Sequence, residues 1–141
     1  LRASGDGGVL WMNGDVVFDP EVLRRVTPMI NTDESFVVVN HSSVADEEVK
    51  YTLDGDGFVA ELSKTVVGGL GEAVGINYVS QRDKAAVIKR LDEVADQDYF
   101  ERGIEVAIAA GEVKFKAVDI SDLYAVEVDF AEDLERANDA I

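Results

Sequence analysis

Residues 35–40 read Ser-Phe-Val-Val-Val-Asn, a run of aromatic and β-branched side chains with no polar position between its ends to turn toward water. Successive side chains of a strand point to opposite faces, so this run needs apolar cover on both sides of its sheet. Helices packed on the two faces of a sheet supply such cover, which makes the chain an α/β candidate. Val9-Leu10-Trp11-Met12 is a second apolar run, expected to be a buried strand that stops at Asn13-Gly14-Asp15. Trp11 is expected in the core. Asp19-Pro20-Glu21 then opens a helix. Asp19 is the cap, Pro20 suits the first helical position, and Val22, Leu23, Val26 and Ile30 form one face.

Two runs of alternating polarity follow, Glu48 to Leu53 and Phe58 to Leu62, joined by Asp54-Gly55-Asp56-Gly57. Asp-Gly between alternating runs predicts a β-hairpin. The same residues superficially match the start of a calcium loop, but the later ligands and closing glutamate are missing at the required spacing. Gly68-Gly69-Leu70-Gly71-Glu72-Ala73-Val74-Gly75 reads as a connection, having neither a dinucleotide fingerprint nor a P-loop. Val74 to Ser80 reads as a strand, and Arg82–Val94 and Tyr99–Ala110 as helices, the second closed by Gly111. Strands at Val113–Val118 and Tyr124–Val128 and a last helix at Ala131–Ile141 complete an α/β mixed sheet flanked by helices, with a central hairpin. The glycine-rich residues 1–8 are expected to be a linker or cut start, with a single domain over 9–141.

Charge narrows the function. Lys and Arg number 13 against 29 Asp and Glu, a net −16, so a clamp on a nucleic-acid backbone is excluded and anionic membranes are poor partners. The acids are spread along the chain, a surface suited to concentrated salt, where screening removes much of the self-repulsion. With no Cys there is no disulfide, thiolate zinc site or cysteine nucleophile. The single histidine, His41, followed by Ser42-Ser43, excludes a multi-histidine metal centre and leaves any Ser-His-Asp triad one possible base. Apolar stretches such as 106–110 are too short to span a bilayer, and the opening lacks the apolar core of a signal peptide, so a cytoplasmic protein is expected.

Two aspartates stand at strand ends. Asp15 follows the first strand beside Gly14, where no side chain crowds the backbone, and Asp129 follows the strand Ala125-Val126-Glu127-Val128. Meeting at one sheet edge, they could share a hard cation that in turn binds phosphates. Each also has a plain structural reading, Asp15 as a turn residue and Asp129 as a helix cap.

Three segments together resemble a family: Asn13-Gly14-Asp15-Val16-Val17-Phe18; Lys64 followed by Gly71-Glu72-Ala73-Val74-Gly75-Ile76; and residues 124–137, Tyr-Ala-Val-Glu-Val-Asp-Phe-Ala-Glu-Asp-Leu-Glu-Arg-Ala. Their order and rough spacing are similar to the later part of nucleotidyltransferases of the sugar-phosphate and phosphocholine cytidylyltransferase type. The resemblance covers about Val9 to Ile141, and its most specific part is the C-terminal segment. It implies a Rossmann-like domain that transfers a nucleotidyl group from an NTP, CTP among the candidates, to a phosphorylated acceptor with release of pyrophosphate. It further implies Asp15 and Asp129 as ligands of the catalytic Mg²⁺ and Lys64 as a contact to the acceptor phosphate. Glu72, Gly75, Tyr99 and Glu101 are implied on the acceptor side, the aromatic and acidic pair suiting a cationic headgroup.

The chain departs from the family at its front. The family's glycine-rich, Arg- and Lys-bearing loop that grips the NTP phosphates has no match here, so the N-terminal part of the domain is expected to be missing. A sheet without its first strands has an open edge that invites a homodimer or association with the missing segment. The competing expectation is a noncatalytic α/β module, derived from that fold, that binds a small molecule or dimerises.

Overall fold

The computed structural model describes residues 7–14, 16–41, 49–66, 68–93, 100–123 and 125–127. Strands β1 (Val9–Met12) and β2 (Val16–Phe18) lead into helix α1 (Glu21–Asn31), followed by β3 (Phe36–Asn40), β4 (Lys50–Leu53), β5 (Val59–Ser63) and β6 (Gly71–Val79). Helices α2 (Lys84–Glu93) and α3 (Phe100–Ala109) precede β7 (Lys116–Asp119) and β8 (Ala125–Glu127). The main sheet runs β5-β4-β6-β3-β7, with β1 added beside β6. β3 is parallel to β7 and antiparallel to β6, so the sheet is mixed, as the sequence pattern implies.

β6 is the hub. One of its sides pairs with β3; the other pairs with β4 at its beginning and with β1 at its end. The expectation of a loop across residues 68–75 is corrected here: β6 already starts at Gly71. Glycine permits that start, because a Cβ on Gly71 would lie 2.4 Å from the Asn40 carbonyl oxygen of the neighbouring strand.

The run that demanded two-sided cover receives it. Phe36 and Val38 turn to one face, where they meet Val22 and Val26 of α1, Ile76, Tyr78 and Ile120. Val37 and Val39 turn to the other, against Val87 of α2, Ile104 and Ala107 of α3, and Leu62 and Phe115. Asp19 caps α1 as expected, its carboxylate accepting the Glu21 N–H at 2.9 Å. Leu23, placed on the buried face from its spacing, is 38% exposed, since Val22 and Val26 alone fill the contact.

The hairpin forms as β4 and β5. The Asp54 carboxylate accepts the backbone N–H groups of Asp56 and Phe58, so the Asp-Gly repeat is a turn. β1 does not meet its expectation. None of its four residues is buried, and Trp11 and Met12 are 38% and 45% exposed, because among the described residues β1 has β6 as its only partner strand. β2 was not anticipated; it is three residues long and pairs with β8, far away in sequence. The C-terminal helix expected over 131–141 lies outside the described residues. Among the described residues no helix is long and apolar enough to cross a membrane.

Tyr78, 5% exposed, donates its hydroxyl to Asp33 at 2.7 Å. Burial, aided by the Asp33 carboxylate, pushes its phenol up to about 12 from 10.0. The fold therefore holds the neutral form, and this stabilisation is complete below pH 10 and lost as the pH rises through about 12. Denaturant titrations between pH 9 and 12, a range chosen around those values, should show a steeper loss of stability in the parent chain than in Tyr78→Phe.

Candidate functional site

The three motifs that are separated in sequence converge at one end of β1. The first is tied to the second by a backbone bond: Asn13 N–H donates to the Gly75 carbonyl at 2.8 Å. Gly75 has φ +87°, and a Cβ there would lie 2.6 Å from the Asn13 amide nitrogen. Only glycine combines that backbone with that approach without strain. The first motif is tied to the third by the antiparallel β2–β8 pair, in which Val16 faces Glu127 and Phe18 faces Ala125. Asp15 adjoins Val16 in the chain, and Asp129 is two residues beyond Glu127. Both aspartates, and Tyr99, themselves lie outside the described residues.

The other expected residues divide into two places. Glu72 is half-buried on β6, level with Asn40 of β3 and Lys50 of β4. Lys64 is exposed in the turn after β5, yet close enough for its charge to act on Glu101. Glu101 stands in the first turn of α3, a favourable end of the helix for an acid, and is 5% exposed. Burial raises its pKa, and the Asn77 side chain and Lys64 charge partly oppose that.

Asn77 was missed by sequence reasoning. It lies on β6 opposite Trp11 and Val37 and is completely buried; its amide is near enough to Glu101 to favour that carboxylate, but neither side-chain atom reaches a well-formed hydrogen bond. A lone amide inside Ile76-Asn77-Tyr78-Val79 was the available signal, since a polar residue in an otherwise apolar strand calls for a partner.

His41 sits where β3 ends, beside the end of β7. Its Nε2 is 3.1 Å from an Asp119 oxygen. Ser121 donates its hydroxyl to Asp119 and accepts the His41 backbone N–H at 2.9 Å. The imidazole thus faces the carboxylate while the serine proton is also committed to it, so this trio lacks the Ser-to-His bond that would activate a nucleophile. Among the described residues no three metal-ligating side chains cluster.

No protein-family model matches the chain. No curated protein matches it in sequence. Solved structures do. The inositol-1-phosphate CTP transferase of T. maritima superposes with a TM-score of 0.76 at 16% identity, over 99% of this chain and 57% of that one. A nucleoside-diphosphate-sugar pyrophosphorylase of Vibrio cholerae RC9 gives 0.62 at 10% identity, over 93% and 55%. HddC of Yersinia pseudotuberculosis, complexed with GMP-PN, gives 0.60 at 14% identity, over 98% and 57%. The chain therefore has the fold of these nucleotide-handling enzymes, as the motif resemblance implies, and spans a little over half the length of the solved proteins it matches.

Proposed function

We propose that this chain is the acceptor-side part of a nucleotidyltransferase that moves a nucleotidyl group from an NTP, CTP among the candidates, to a phosphorylated small molecule and releases pyrophosphate. The observation that carries the reading is the joining of all three motif segments: Asn13 to Gly75 by a hydrogen bond, and Val16 to Glu127 by strand pairing. The inositol phosphate and nucleotide-sugar chemistry named for the structural matches favours a sugar phosphate or polyol phosphate over other acceptors, with a phosphocholine-like molecule as the competitor.

The donor set suits magnesium. The Asp15 and Asp129 carboxylates would be hard oxygen ligands, the chain offers no thiolate and one imidazole, and substrate phosphates and water would supply further oxygens. Asp15 and Asp129 would hold the ion, which supplies charge neutralisation and alignment of the phosphates. Lys64 presents an ammonium to the acceptor phosphate, and the open backbone at Gly14, where a Cβ would meet nothing within 4 Å, lets substrate approach the sheet end. An acceptor phosphate oxygen bonds to the α-phosphorus as the bond to the β-phosphate oxygen breaks, and pyrophosphate carries off the charge.

The test is pyrophosphate release by the product of the complete reading frame, with each NTP in turn and a panel of sugar phosphates, inositol phosphate and phosphocholine. Release that requires both an NTP and one acceptor is expected. Binding of an acceptor with no release under any pairing would overturn the proposal in favour of the noncatalytic module.

A further inference from the structure

We propose that Arg25 is a positioning residue of the candidate site: its fork onto Asp122 holds the β7–β8 connection, and with it the third motif segment, against the first. The first segment runs through β2 into α1, which carries Arg25, and the third begins shortly after Asp122. The two segments meet directly through β2 and β8, a separate two-stranded sheet only three residues long. A pair that short is marginal without outside support.

Arg25 gives that support from the helix. One guanidinium nitrogen donates to an Asp122 carboxylate oxygen at 2.6 Å and the other to the second oxygen at 2.8 Å, while the first also donates to the Asp119 carbonyl at 3.0 Å. Three bonds from one planar group fix an angle as well as a distance. The guanidinium holds the Asp122 carboxyl down at about 2, so the pair is ionised at neutral pH. From the other side the end of β3 grips the same turn: Ile120 N–H donates to the Val39 carbonyl at 2.9 Å, and His41 N–H to the Ser121 hydroxyl oxygen at 2.9 Å.

Apolar packing alone does not set this arrangement. Ile120 is fully buried with Val22 and Val26, and Leu123 and Ala125 pack against the same cluster, but burial of that kind has no direction. The Arg25 and Asp122 side chains are 34% and 64% exposed, so the fork contributes little to the stability of the whole fold. What it supplies is the course of the chain from β7 into β8. The neighbouring Arg24 offers the contrast, since its partner at 2.9 Å is Glu21, three residues back in the same helix.

That the held strand presents a metal-binding segment rests on the proposed function; that Arg25 holds it does not, and hydrogen exchange reads the holding separately. In the complete reading-frame product, Arg25→Gln and Asp122→Asn should each speed amide exchange at residues 16–18 and 125–127 by at least about fivefold, while residues 36–39 and the unfolding midpoint stay as in the parent. Arg24→Gln, which removes only the pair inside α1, should leave every one of these unchanged. In the two fork variants the Mg²⁺ concentration for half-maximal nucleotidyl transfer should rise about tenfold, with kcat at saturating Mg²⁺ close to the parent value. Arg25→Lys keeps the charge without the fork and should recover only part of each effect. Unchanged exchange at residues 125–127, a uniform rise across the sheet, an equal rise in Arg24→Gln, or local opening with an unmoved Mg²⁺ dependence would each overturn the proposal. Local opening in the fork variants of a protein whose parent transfers no nucleotidyl group would strike the proposed function and leave Arg25 as the residue that holds β8.

Discussion

On the proposed function, Asp129→Asn is expected to lower nucleotidyl transfer by at least about a thousandfold, as is Asp15→Asn, because each would remove one charge from a two-carboxylate metal site worth several kcal/mol of barrier. Asn keeps the size of Asp, so circular dichroism and the unfolding midpoint should change little beside the loss of turnover. The two losses should not add when combined, since either carboxylate alone leaves the ion underheld. A Mg²⁺ titration separates binding from chemistry: a variant rescued at high Mg²⁺ has lost affinity, whereas one that stays slow has lost alignment. Turnover within about tenfold of the parent in both variants, a difference of only about 1.4 kcal/mol, would remove the aspartates from the site.

The elements legible in the sequence are those whose neighbours are nearby or whose residues declare their needs. Ser35 to Asn40 stated a requirement for two apolar layers, and the helices supplied them. Asp54 to Gly57 stated a turn and made one with its own carboxylate. β2 was not legible, because three residues show no period and its partner, β8, is more than a hundred residues distant. β6 was read as starting three residues late because its glycines suggested a loop. Gly71 instead lets two strands approach closely, and Gly75 takes a positive φ where the Asn13 side chain packs against it. β1 was misread for a different reason: apolar composition reports what a strand can cover, whereas among the described residues β6 is its only partner strand and Trp11 and Met12 stay exposed. At the candidate site, the convergence of motifs was foreseeable as order and spacing, but the electrostatic link of Lys64 to Glu101 and the burial of Asn77 required the third dimension.

Phe36→Ala should cost about 3–5 kcal/mol, a large part of the stability of a domain this size. Phe36 is fully buried on β3, the strand between β6 and β7, and its ring stacks on Tyr78 with centroids 5.6 Å apart and planes 20° from parallel. Val22 and Val26 of α1 and Ile76 of β6 pack into the same cluster, so a cavity there loosens the helix as well as the sheet. Neighbouring side chains are β-branched or aromatic and cannot readily swing into the space, which argues for the upper part of the range. Leu23→Ala, on the same helix face by spacing but 38% exposed, provides the contrast and should cost much less. Urea unfolding measures both: a large drop in midpoint for Phe36→Ala with an unchanged slope locates the loss in native packing. Equal effects at the two positions would mean that α1 is not seated on the sheet through Val22 and Val26. The helix that follows the Asp15 segment would then be held by something other than this cluster.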